Sequence, residues 1–548
     1  MRTVTGYRDA ASRGTTPSWT YSSKEKRRLL SQALHRPLDR VGVLGSDTDG
    51  HTGCVNTLSW ARDGELLLSG GDDTTVRIWR MDTANTSVEY PFACEAVIHT
   101  GHRANIFGAK MLPGSSRIAT VAGDREVRIC DISRAPGRPQ MRGTGLQYDT
   151  SEACVRVLRC HKRRTKRIVT EESFDRFLTV AEDGAVIQHD LRTSHRCGAG
   201  SCPTPLIKVP HELSAIAVSP LAPYHIVVAG ESPYGYLFDR RQSGRHLREQ
   251  WGMAPDGDHL TTCVRRFGRT GRAPGERVGH EHITGARMAQ SNGHEVLLSY
   301  SADAVYLYST RDDVEPPEKL SSLLESTNTE HDSKPAHSTI STIDEDAHDV
   351  SDLWEIEQEE YGNNEEADGE DDDYDEEVGE DDLTPDPFSR VPVVLPRSRY
   401  AGACNVETVK DVNFLGPNDE FVASGSDDGN FFIWKKTSRR IHGVYEGDGS
   451  VVNVIERHPH LPLLAVSGID TTVKLFAPAH GRSRFSRLGE AESIMQTNIE
   501  RAERTISRQM ELDLASLLLH HRLIVRRRSE AGDEDVDDED IQAQCPTQ

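Results

Sequence analysis

A chain of 548 residues is long enough for one large closed β domain with extensions, but 36% hydrophobic content and a mean hydropathy of −0.57 exclude a fold that runs throughout. The formal net charge of −23 equals the 23 Asp/Glu, with no Lys or Arg, of residues 335–389, so the remainder balances to zero and a uniformly acidic protein is excluded. No run of about 18 apolar residues occurs and Met1-Arg-Thr-Val leads into polar sequence, so the reading is an intracellular chain of the nucleus, the cytoplasm or both, with no membrane partner.

Residues 1–22 are polar and are expected to be disordered. Ser22 to Leu34 reads as a short helix with Leu29, Leu30 and Ala33 on one side, or else as a solvated basic arm. Leu38 to Leu44 reads as a strand. The unit repeated thereafter is clearest at Thr179 to Arg192, T-V-A-E-D-G-A-V-I-Q-H-D-L-R. Asp183-Gly184 is a hairpin signal, and Ala185, Ile187 and His189 then alternate with Val186, Gln188 and Asp190 at strand period. Trp79, Cys130, His189, Trp434 and Phe476 each follow an aspartate by six positions: Asp73, Asp124, Asp183, Asp428 and Asp470. Four positions before the aspartate stand Ser69, Thr120, Thr179 and Ser424, with Val466 beside Ser467 in the last block. The first three blocks add His51, His102 and His161 upstream.

This pattern resembles the WD40 repeat, and the resemblance implies a buried hydrogen-bonded network of histidine, Ser/Thr, aspartate and tryptophan in each blade. Such a constellation is structural, because an unpaired buried polar group costs ~1–3 kcal/mol; it is not a catalytic triad. The expected fold is an all-β, seven-bladed propeller with a disordered acidic insert and a C-terminal helical extension. An N-terminal arm covers 1–38, and blades 1–5 cover 39–310, with 39–45 closing the last blade. The acidic insert spans 311–389, blades 6–7 span 390–480, a helical extension 481–528 and an acidic tail 529–548. In the extension, Met495, Ile499, Ala502, Ile506, Met510, Leu514 and Leu517 recur every three or four residues and are expected to pack on the propeller. The insert reads as a solubilising loop, or as a site for basic partners.

No phosphate loop or nucleophile elbow is present, and no cofactor, metal or catalytic residue is expected. The cysteines read as reduced thiols, since Cys197/Cys202 and Cys154/Cys160 lack paired zinc spacing. His458-Pro-His460 reads as structural. Lys162, Arg163, Arg164, Lys166 and Arg167 follow His161 and could form a basic patch on the top face, for an acidic peptide or the chain's own insert; without interleaved aromatics, nucleic acid is not favoured. Asp190-x-Arg192 and Asp239-x-Arg241 fall after the third strand of consecutive blades, so two guanidinium groups should project from one face.

The blocks at 51–60, 69–73, 412–429 and 446–470 resemble the cullin-4-associated WD-repeat factors that carry an acidic insert between blades five and six. The resemblance covers roughly 41–310 and 400–480. It implies a non-catalytic substrate receptor of a cullin-4 RING ubiquitin ligase, docked onto the adaptor damage-specific DNA-binding protein 1 by Asp190, Arg192, Asp239 and Arg241, and presenting a client protein. The chain departs from that pattern at His189 and Phe238, where the family box prefers Trp. The competing reading is an interaction scaffold, or a transcription or chromatin cofactor, outside any ligase.

Overall fold

The computed structural model describes residues 22–45, 49–134, 137–139, 145–197, 202–242, 261–271, 281–314, 387–505 and 507. The Asp183-Gly184 turn shows how one blade forms. Arg176–Ala181 pairs antiparallel with Ala185–Asp190, from Arg176 opposite Asp190 to Val180 opposite Val186. Gly184 has φ +73, and a Cβ there would lie 2.3 Å from the Val209 carbonyl oxygen, so the position requires glycine.

Seven such sheets are present among the described residues. Their innermost strands are Val55–Ala61, Ile106–Met111, Thr165–Thr170, Leu213–Val218, Ile283–Met288, Val412–Leu415 and Val452–Arg457. Each touches the next and the seventh touches the first, which closes the ring. The ring is locked by Leu38–Leu44, paired antiparallel with Val473–Pro478 as the outer strand of blade 7, so that no open sheet edge remains there. Apolar residues of facing blades form the core, as where Leu68, Ile78 and Ile98 of blade 1 meet Ile106 and Ile118 of blade 2.

The structure decides between the two readings of the N-terminal segment and moves the far boundary of the insert. Residues 22–37 are not a solvated arm: helix Ser23–Leu34, opened by a reciprocal Ser22–Glu25 capping box, buries Leu30 and Leu34 against Leu415 and Phe421 of blade 6. The Arg27 guanidinium donates to Pro417 O at 2.7 Å and Asn418 Oδ1 at 2.8 Å. The insert leaves blade 5 after its third strand, Val305–Ser309, and that blade's outer strand, Ser398–Tyr400, lies beyond it. Its far boundary is earlier than 389, because Phe388 is buried against Tyr236 and Phe238 of blade 4 and Val393–Val394 joins that blade's sheet beside Arg265–Phe267. Most of the insert, residues 1–21 and the extension beyond 507 lie outside the described residues.

The described part of the extension, a helix over 491–505, rests on blade 6. Ala491 is buried there, with Ile494 and Met495 packed alongside, whereas Ile499 is half exposed. Among the described residues no helix is long and apolar enough to cross a membrane.

Candidate functional site

The histidine networks of blades 1–3 are buried relays rather than reactive groups. In blade 1 the Trp79 indole N–H donates to Ser69 Oγ at 2.9 Å, Ser69 meets His51 Nε2 at 2.8 Å, and His51 Nδ1 meets Asp73 at 3.0 Å. Burial alone would raise the Asp73 carboxyl, but the hydrogen bond and charge of His51 reverse this and hold it well below the usual range. Blade 2 repeats the relay with His102, Thr120 at 2.9 Å and Asp124 at 2.9 Å, but Cys130 stands where blade 1 has Trp79.

Blade 3 keeps the relay with an imidazole in place of the indole. Thr179 Oγ1 lies 2.8 Å from both His161 Nε2 and His189 Nε2, and His161 Nδ1 lies 3.1 Å from Asp183. Donor order then fixes the tautomers: His189 donates from Nε2, Thr179 donates to His161, and His161 donates from Nδ1 to Asp183. His189 Nδ1 is left as a bare lone pair, and it has no partner. Burial holds His189 down to about 3, so the ring is neutral, and it stacks on Phe177 at 5.0 Å.

Blade 6 departs from the expected network. Trp434 donates to Ala401 O at 3.2 Å rather than to Ser424, whose hydroxyl turns to Gly425 O. Asp428 accepts instead from Asn498 of the C-terminal helix at 3.0 Å, so that helix supplies a partner where other blades use histidine. In blade 7, Asp470 holds the turn through Thr472 N at 2.8 Å and pairs with Lys474. His458 uses both ring nitrogens on backbone, at Gly64 O and at the N–H groups of His460 and Leu461.

The exposed chemistry lies on the face formed by the first-to-second and third-to-fourth strand turns, the bottom face. In blade 3 the Asp190 carboxylate accepts Arg192 N at 3.0 Å, Nε at 2.9 Å and Nη2 at 2.6 Å. In blade 4 Asp239 accepts the same three groups of Arg241 at 3.0, 3.0 and 2.5 Å. Each aspartate thus shapes the turn and holds the guanidinium by a two-pronged fork. The Arg192 hydrogen bonds hold Asp190 down to about 2, and those of Arg241 lower Asp239 likewise. The arginine side chains remain 65% and 64% exposed, and Arg241 also stacks 3.8 Å above the Tyr224 ring. Two of five guanidinium N–H donors are used in each fork, and the rest stay available to a partner.

Two apolar side chains share this face and escaped the sequence reading. Phe174, in the turn between Thr165–Thr170 and Arg176–Ala181, is 56% exposed, and Leu221, in the matching turn of blade 4, is 64% exposed. The available signal was a large apolar residue inside a polar turn. Arg311 of blade 5 also occupies the register of Arg192 and Arg241, but Ser309 replaces the aspartate and accepts only the backbone N–H, at 3.2 Å.

The top-face basic run is largely paired with carboxylates of the chain itself. Arg163 pairs with Glu212, Arg164 and Lys166 with Glu182 at 3.2 and 2.7 Å, and Arg167 with Asp411 at 2.5 Å; Lys162 contributes its backbone N–H to Asp183. Lys166 and Arg167 line a channel-mouth cavity of about 270 Å³ together with Glu182, Glu212 and Glu231. The described cysteines are free thiols, as expected, but the fold brings together residues that the spacing left apart: Cys160, Cys197 and Cys202 converge with His195, their donor atoms all within 4.8 Å of one another. Spacing failed as a guide because Cys160 reaches the others across a blade junction. In a second group, His102 and Asp124 belong to the blade 2 relay, and Glu126 pairs with Arg128 and Arg159.

The model for the WD domain, G-beta repeat, matches residues 42–80 and 402–435. Among curated proteins, the chain is 33% identical over 276 residues to the WD repeat protein iqw1 of Schizosaccharomyces pombe, an alignment covering 49% of this chain and 32% of that protein. It is 29% identical over 267 residues to human DDB1- and CUL4-associated factor 6, covering 48% and 27%. With human WD and tetratricopeptide repeats protein 1 it shares 24% identity over a 687-residue alignment that covers 92% of this chain and 94% of that protein. The match to the first two therefore spans a third or less of their length. Repeat register, ring closure and these matches agree: the chain carries WD40 repeats and folds as a seven-bladed β-propeller.

Proposed function

We propose that this propeller is a non-catalytic substrate receptor of a cullin-4 RING ubiquitin ligase, docking on the adaptor damage-specific DNA-binding protein 1 by its bottom face and holding a client elsewhere. The observation that carries the reading is the repeated turn of blades 3 and 4: the same aspartate fork, the same guanidinium two-thirds exposed, on consecutive blades of one face. Arginine in this state suits an interface, because its donors are fixed before binding and it is weakly hydrated. Phe174 and Leu221 add the apolar contact that a cation pair alone does not provide. The likeness to DDB1- and CUL4-associated factor 6 supports the choice of adaptor.

In this role the protein does no chemistry. Its mechanism is proximity, one face on the adaptor and another on the client, so that a RING-bound conjugating enzyme reaches client lysines. Such a receptor works in the nucleus, the cytoplasm or both. Capture of purified adaptor by the wild type, and its loss from an Arg192→Ala/Arg241→Ala variant with an unchanged melting temperature, is the expected result. Adaptor that fails to bind the wild type would leave a scaffold outside any ligase as the working account.

A further inference from the structure

Blade 3 lacks most of its outer strand. Where blade 1 has Phe92–His99 and blade 6 has Ile441–Glu446, blade 3 has only the two residues Ile207–Lys208. Side-chain contacts join it to blade 2: Leu158 of that blade's outer strand, Cys154–Leu158, packs with Ile168 and Phe177 of blade 3, with Val155, Cys160 and Leu191 alongside. Arg156 does part of this, donating to Leu191 O at 2.9 Å and Thr193 O at 2.6 Å. Cys160 stands two residues beyond that strand, His195 and Cys197 follow the Arg192 turn, and Cys202 precedes Ile207.

The four side chains converge there, each partly buried, with all donor atoms within 4.8 Å of one another. Cys160 Sγ lies 3.7 Å from Cys197 Sγ, and His195 Nε2 lies 3.2 Å from the first and 3.4 Å from the second. A tetrahedral ion with metal–sulfur bonds of about 2.3 Å and metal–nitrogen bonds of about 2.0–2.1 Å needs sulfur–sulfur edges of about 3.7 Å and sulfur–nitrogen edges of about 3.5 Å. A disulfide would need about 2.05 Å. The Arg159 backbone N–H also donates to Cys197 Sγ at 3.1 Å, as suits a thiolate that carries charge.

We propose that Cys160, His195, Cys197 and Cys202 bind one Zn²⁺ ion that staples the outer edge of blade 3 to blade 2. Three thiols release their protons to solvent and His195 stays neutral, giving its Nε2 lone pair, so the loaded site carries a net charge of about −1. Four protein ligands fill the tetrahedron and leave no position for substrate, so the ion is structural. Three sulfur donors with one imidazole select zinc over the oxygen-seeking ions Mg²⁺ and Ca²⁺.

The test is elemental analysis of the full untagged chain after dialysis against metal-free buffer, paired with the absorption spectrum of the Co²⁺-substituted protein. The expected result is about one zinc per chain, with ligand-field bands and sulfur-to-cobalt charge transfer of a tetrahedral thiolate site. Cys197→Ser/Cys202→Ser should bring zinc below about 0.1 per chain and lower the melting temperature, while Cys54→Ser keeps its zinc. Wild-type protein that takes up neither zinc nor cobalt, iron in place of zinc, or a Cys160–Cys197 disulfide in the non-reduced mass would each overturn the proposal. The wild-type readouts decide the matter even if the double variant fails to fold.

Discussion

Blades 2 and 3 end their third strands in the same turn, and only one of them presents a cation. In blade 2 Asp131 accepts Ser133 N at 3.0 Å and the hydroxyls of Ser133 and Ser116, each at 2.7 Å. In blade 3 Asp190 accepts the backbone N–H of Arg192 in the same way, but the side chain it holds reaches solvent with donors to spare. The aspartate therefore serves the turn, and the residue two positions on decides whether the turn is also a surface. Blade 5 is the converse case, with Arg311 in register but no carboxylate to orient it.

That separation can be broken experimentally, and the largest effect should come from converting blades 3 and 4 to the blade 2 type. Arg192→Ser/Arg241→Ser should keep the turn bonds and melt within a degree or two of the wild type, yet weaken adaptor binding by about 100-fold or more, since a central interface arginine is worth about 2 kcal/mol or more. Phe174→Asp or Leu221→Asp, which leaves both forks intact, should cost about tenfold in the same titration, placing apolar contact beside the cations. If either substitution is neutral, the docking surface does not include the first-to-second strand turns.

A contrast between blades 1 and 3 yields a stability prediction. Trp79 has no titrating group, whereas the imidazole of His189 would titrate near neutrality in the unfolded chain. Because burial holds the folded His189 down to about 3, below an unfolded value of about 6.5, the unfolded chain binds the extra proton first. Its contribution is complete above about pH 6.5 and is lost as pH falls toward 3, at roughly 1.4 kcal/mol per unit. Chemical denaturation of His189→Gln from pH 7 to 4.5 should show a shallower acid decline than the wild type; parallel curves would contradict the assigned neutral ring. Thr179→Val, which removes the relay's central hydroxyl, should cost about 1–3 kcal/mol at pH 7 by the same measurement. The smallest effect is expected for Asp190→Ala: a small drop in melting temperature and a several-fold loss of adaptor affinity, because Arg192 is kept but no longer held.

The sequence reading reached what local chemistry dictates. The six-residue step from aspartate to strand end marks the hairpins of five blades, with Asp-Asp or Asp-Gly turns in blades 1, 3 and 6, and period-two strands mark the other two. The Asp-x-Arg turns were equally legible, since fork and turn involve only residues i and i+2. What escaped depends on blades meeting. Cys160 and His195 are 35 positions apart and join only because Cys154–Leu158 abuts blade 3. Phe388 reads as the end of a polyanionic insert until Tyr236 and Phe238 offer it a pocket. Asn498 is one polar residue on an amphipathic helix until that helix reaches Asp428. The ion pairs of the basic run escaped for the same reason, because Glu182, Glu212 and Asp411 come from other turns and blades.

Calorimetric titration of damage-specific DNA-binding protein 1 into the full chain decides whether the bottom face of blades 3 and 4 is the proposed adaptor dock. The expected result is saturable one-to-one binding by the wild type, with affinity lost from Arg192→Ser/Arg241→Ser and retained in a Lys162→Ala/Arg164→Ala variant of the opposite face. Binding that is absent from the wild type, or unchanged when both bottom-face arginines are removed, would contradict it.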